Sequence, residues 1–157
     1  MKLGQGQDHD FLLLSYDEYM EMGYSASPDY ASYVVSIHDD LIQYIQDTFN
    51  WVPSINPGMN YEKGYGLCNY GVTLFDKEGA KVILKLAKAW GDLFSNGPTT
   101  LRLTGNYCWS TNKQGIQESY YDILEVDRDE LVEKFRKLQF LSEKVIAGDY
   151  LILHQGI

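Results

Sequence analysis

Three histidines, two cysteines and a scatter of carboxylates are the side chains here whose types could do chemistry. His9, His38 and His154 stand far apart, and none has a second histidine at a metal-ligand interval. Zinc needs three or four convergent ligands, and the His–Glu–x–x–His arrangement is absent. The run His38-Asp39-Asp40 resembles a metal-binding pair, but the positive end of a helix dipole accounts for Asp39 without a metal. Cys68 and Cys108 would act as nucleophiles only beside a cation or helix start that lowers the thiol pKa. Cys68 falls on an expected strand, and Cys108 lies between Tyr107 and Trp109 at a strand end. Both read as small, buried core residues.

The remaining patterns are no richer. Gly64-Tyr65-Gly66 lacks the downstream lysine and hydroxyl of a phosphate loop, and no Gly-x-Ser-x-Gly elbow occurs. Asp76 and Glu78 suit a helix start. Adjacent acids such as Asp39/Asp40 and Asp129/Glu130 diverge by about 100° around a helix, which is poor geometry for a dyad. These residues therefore supply no expected catalytic group, metal or cofactor.

Charge and aromatic content say more. The 157-residue chain carries a formal charge of −9. Residues 1–62 hold ten acids against the single base Lys2, whereas residues 63–157 balance twelve against twelve. An acidic surface repels phosphate backbones, which argues against nucleic acid, and it attracts basic proteins. Thirteen tyrosines accompany this charge. Tyr and Trp are favoured at interfaces for their large amphipathic contact area. The candidate protein-binding set is Asp17, Glu18, Tyr19, Glu21 and Tyr24 in one segment, Asp39, Asp40 and Asp47 in another, and the loop or strand-end aromatics Tyr61, Tyr65 and Trp109.

The elements that must position these residues follow from periodicity. Residues 1–9 read as a frayed tail, 11–14 as a buried strand, and 16–33 as a short helical turn followed by a loop. Ser36 and Asp39 have capping-box spacing, so a helix is expected from Ser36, with Ile37, Leu41, Tyr44, Ile45 and Phe49 inward. Residues 51–66 read as a long loop and 67–75 as a strand. A second helix, capped by Asp76, has Val82, Ile83, Leu86, Trp90 and Leu93 as its buried stripe, and Gly97 is expected left-handed after it. Residues 99–109 and 119–126 form a hairpin around a polar tip at 110–115. Asp127 caps a third helix with Leu131, Phe135, Leu138 and Val145 inward, stopped by Gly148. Residues 150–153 form a last, aliphatic and central strand.

This order predicts a single α+β domain over residues 1–157: a two-layer sandwich with a mixed or antiparallel sheet and about three helices on one face. No apolar run approaches the ~18 residues of a membrane span, and no signal peptide is visible. Two cysteines make no disulfide framework, which points to the cytoplasm. The expected function is non-catalytic: an acidic domain that binds a basic protein partner, such as an immunity or inhibitor protein covering a cationic toxin. One alternative is a small enzyme or ligand-binding domain with its site near the 51–66 loop and Gly105–Trp109. Its polar groups would come from Asn69, Asp76, Asn106, Glu118 and His154. Another is a structural homo-oligomer.

Overall fold

A computed structural model describes residues 7–23 and 26–157 of the chain. Strand β1 (Asp8–Ser15) leads into helix α1 (Tyr16–Met22). A single 3₁₀ turn (Pro28–Tyr30) then precedes β2 (Tyr33–His38) and α2 (Asp39–Phe49). Strands β3 (Pro53–Asn56), β4 (Glu62–Tyr65) and β5 (Val72–Phe75) follow, then α3 (Lys77–Phe94). The hairpin β6 (Thr100–Thr111) and β7 (Gln117–Asp127) joins α4 (Arg128–Ala147) and β8 (Tyr150–Gln155).

Six strands form one sheet in the order β2-β1-β8-β5-β3-β4, with every neighbouring pair antiparallel. The strands β6 and β7 form a separate two-stranded ribbon. The α+β sandwich read from the sequence is the observed architecture. Period-two alternation divides the core. Phe11, Leu13, Val35, Ile37, Phe75 and Ile152 pack on one face against α2, α3 and α4. Leu12, Leu14, Leu74, Leu151 and Leu153 pack on the other against Tyr19 of α1 and Ala26. The aliphatic β8 is interior as expected, because both its faces are covered.

Several local expectations are corrected. Ser36 belongs to β2, held opposite Asp10 in the β1 ladder, so long-range pairing overrides its capping signal. Helix α2 starts at Asp39, and the His38 imidazole Nδ1 accepts from the Asp40 N–H at 3.2 Å. A full capping box does occur, at Ser15 and Glu18 of α1. Residues 51–66 are not a loop, because β3 and β4 pair around a 3₁₀ turn (Pro57–Met59). The expected strand over 67–75 is reduced to β5. On α3 the buried stripe runs Ala80, Ile83, Ala87, Trp90, Phe94, and Leu93 faces outward. Gly97 is not left-handed; it closes a turn onto the Phe94 carbonyl. Cys68 is exposed and Cys108 half-buried, both free, so neither is the buried core cysteine expected. Asp8 and His9 are not frayed, since β1 begins at Asp8 and His9 is fully buried. Residues 1–6 and Tyr24 lie outside the described residues. Among those described, no helix is long and apolar enough to cross a membrane.

Candidate functional site

The base of the ribbon is anchored by Leu101, Leu124 and Val126, which join the core on the helix side of the sheet. Strict alternation from Leu101 would turn Tyr107 and Trp109 to that same inner side. A register shift between Thr104 and Tyr107 prevents it. Gly105 and Asn106 together oppose only Asp122, and the extra residue exchanges the faces of the rest of the strand. Tyr107 therefore faces Tyr121 across the ribbon, ring centroids 5.1 Å apart, and Trp109 follows two residues on. All three are more than half exposed.

On the inner side the ribbon faces α2 across a cleft of about 210 Å³. Its walls are Asp40, Gln43 and Tyr44 from α2, and Thr104, Gly105, Asn106, Asp122 and Leu124 from the ribbon. Residues 40, 43 and 44 share a helix face by i, i+3, i+4 spacing. Among the described residues the two carboxylates are the only charged groups lining the cleft. Asn106 Nδ2 donates to Gln43 Oε1 at 3.2 Å and bridges the walls. The Cys108 thiol donates to Asp122 at 3.3 Å, and that bond, with burial and the negative charge, raises its pKa. This is opposite to what nucleophilic activation requires.

A second polar group lies within the sheet. His9 Nε2–H donates to Asp39 Oδ1 at 2.9 Å, and His9 Nδ1 lies 2.8 Å from His154 Nε2. Both imidazoles are fully buried, on adjacent strands, and stacked at 14°. Burial, then the neighbouring His9, pushes the His154 pKa down to about 3. His154 is therefore neutral and hydrogen-bonds His9 through Nε2, and its buried Nδ1 has no partner among the described residues. Asp39 Oδ2 also accepts from Gln43 Nε2 at 2.6 Å. A continuous chain of hydrogen bonds thus links β8, β1, α2 and the ribbon. Its histidines have no exposed atom to offer a substrate. Among the described residues no three His, Cys, Asp or Glu side chains are grouped to hold a metal ion.

The structure divides the candidate residues read from the sequence. Asp17 and Glu21 are exposed on α1, on the sheet face opposite α2. Glu18 is used in the capping box, and Tyr19 is buried with its hydroxyl 3.1 Å from that of Tyr61. Tyr65 is exposed on β4 at the far sheet edge. Asp40 and Asp47 lie on α2, whereas Asp39 is committed inward to His9. Only Asp40 and Trp109 lie at the cleft and ribbon. The cavity beside residues 54–68 and the one beside 104–106 have no lining residue in common. Sequence reading missed Gln43, Tyr121 and Asp122 as site residues, and reached Tyr107 only as a strand-end aromatic within Gly105–Trp109. Gly105-Asn106 inside an alternating strand was the available signal for a bulge.

No protein-family model, curated protein or solved structure matches this chain.

Proposed function

We propose that this chain is a non-catalytic protein-binding domain for a basic partner, of the kind an immunity or inhibitor protein makes with a cationic toxin or enzyme. One observation carries the reading. A cleft whose only charged lining groups among the described residues are Asp40 and Asp122 lies directly behind a ribbon that presents Tyr107, Tyr121 and Trp109 outward. A lysine or arginine entering the cleft would meet carboxylates from both walls, with Gln43 and Asn106 supplying further polar partners. Loss of water around that pair strengthens it. The aromatics would anchor the complex and slow release, since buried Tyr and Trp contacts commonly cost about 2 kcal/mol or more when truncated. The acidic field raises the encounter rate, by roughly 10-fold or more at low salt. The two free thiols support a reducing, cytoplasmic setting for this encounter.

The test is a capture experiment from the source cell at low and high salt, with bound proteins identified by mass. Three proteins serve as bait: the natural chain, D40N/D122N, and Y107A/W109A. All four substituted positions are exposed or half-buried, and an unchanged unfolding temperature verifies that each bait is folded. The reading expects one basic protein held by the natural chain, weakened by salt, and lost by both variants. Equal capture by D40N/D122N would remove the cleft from the interface. An empty capture together with a small metabolite that raises the unfolding temperature would replace this reading with ligand binding.

A further inference from the structure

The two edges of the six-stranded sheet are built differently. At one edge β4 is four residues long and carries Lys63 and Gly64, devices that discourage another strand from pairing. At the other edge β2 runs for six residues, Tyr-Val-Val-Ser-Ile-His, without proline, glycine or lysine. The Asp39 N–H donates to the Gln7 carbonyl, which fixes the alternation of the ladder. Tyr33, Val35 and Ile37 therefore bond to β1, and the N–H groups of Val34 and Ser36 point outward. One outward group is already engaged: the Ser36 carbonyl accepts from Lys134 Nζ at 2.7 Å.

Beside this edge lies a groove of about 480 Å³ between β2 and α4. Glu133, Arg136, Lys137 and Phe140 line it from one stripe of α4, spaced i, i+3, i+4, i+7. Phe140 packs edge-on against Tyr33, centroids 5.0 Å apart. The charged lining is two bases against one acid, and Lys134 adds a third base at the strand edge. In a chain of net charge −9 this is a local reversal of sign.

We propose that the β2 edge and the α4 groove bind an extended acidic segment of a partner protein by strand addition. Its backbone would pair with Val34 and Ser36. Alternate side chains fall on the helix side of the sheet, where carboxylates would meet Arg136, Lys137 and Lys134; the intervening side chains fall on the Val34 side. Main-chain pairing gives such a complex its affinity, and the alternate side chains give its specificity. A second copy of this chain is disfavoured as occupant, because twofold pairing would bring two net-positive grooves together. This surface is distinct in place and in charge from the cleft described above.

The test uses a short capped peptide alternating glutamate with threonine, and its lysine counterpart, titrated into the isotope-labelled chain. The glutamate peptide should slow hydrogen exchange at the Val34 and Ser36 amides and leave Lys63 and Gly64 unchanged. The lysine peptide should not bind. R136A/K137A should weaken the glutamate peptide roughly tenfold, as loss of paired surface charges does. Val34→Pro removes an outward N–H without touching the β1 ladder, a position where edge proline is tolerated, and should abolish binding. Equal binding of both peptides, protection at β4 instead, or no protection at Val34 and Ser36 would each overturn the proposal. So would concentration-dependent dimerisation that Val34→Pro abolishes, since it would make a second copy the occupant of this edge.

Discussion

At the residue scale the most consequential side chain is His154, a neutral imidazole enclosed by the sheet. Its folded pKa of about 3 lies below the ~6.5 of an unfolded histidine. Between these values the unfolded chain binds a proton that the folded chain refuses, so stability falls as pH drops. The contribution is full above about pH 6.5 and erodes toward pH 3, by at most about 1.4 kcal/mol per unit. Urea midpoints measured from pH 7 to pH 4 should decline steeply for the natural chain and less steeply for His154→Phe. Parallel slopes would mean that other groups set the acid response. None of this was legible in the sequence. His9 and His154 are 145 positions apart, and nothing local signals that antiparallel pairing through β1 and β8 will bring them to 2.8 Å. Asp39 was legible as a helix-start acid, but its inward bond to His9 depends on the same sheet.

At the element scale the sequence was more readable, because most elements bury one face and so carry a period. Helix α4 appears where Leu131, Phe135, Leu138 and Val145 place it, with Asp127 accepting from the Asp129 and Glu130 N–H groups. Helix α3 was legible in extent, although its buried stripe needed the small residues Gly79 and Ala80, which hydrophobicity alone does not flag. The β3–β4 hairpin was illegible because β4 has no buried face to impose alternation. Gly79 shows how tightly one element start is seated. A Cβ there would lie 2.5 Å from the Pro53 carbonyl oxygen and 3.2 Å from Phe75. Gly→Ala inside a helix normally gains roughly 0.5–1 kcal/mol. Overpacking of this kind costs about 1–3 kcal/mol, so the clash wins. Gly79→Ala should therefore lower the unfolding temperature, whereas Gly64→Ala, whose Cβ would meet open space, should leave it nearly unchanged. A Gly79→Ala protein as stable as the natural chain would show that α3 can slide on β3.

At the scale of the whole molecule the sequence displayed the charge asymmetry but not its distribution. The acids of residues 1–62 are carried on β1, on α1, in the 3₁₀ turn at Asp29, on α2 and on the edge strand β4, so they form no single patch. Their positions along the helices matter as well. Asp47 sits in the last turn of α2 and Glu21 in the last turn of α1, where the dipole disfavours a negative charge and neither helix supplies a base. Stability alone would place lysine at both. Each reversal should gain roughly 0.3–1 kcal/mol from the dipole. For a chain of this size that raises the unfolding temperature by about 1–4 °C. If the acidic field on the α2 side serves a basic partner, the two variants must part company in binding. Asp47 lies one turn beyond the cleft residues Gln43 and Tyr44, whereas Glu21 is across the sheet. Asp47→Lys should therefore stabilise the chain while slowing capture of the basic partner, and Glu21→Lys should stabilise it with a smaller loss. Equal losses would mean that net charge, rather than the cleft and its helix, governs the encounter. A gain in stability at Asp47 with no loss of capture would leave that acid without a role in binding.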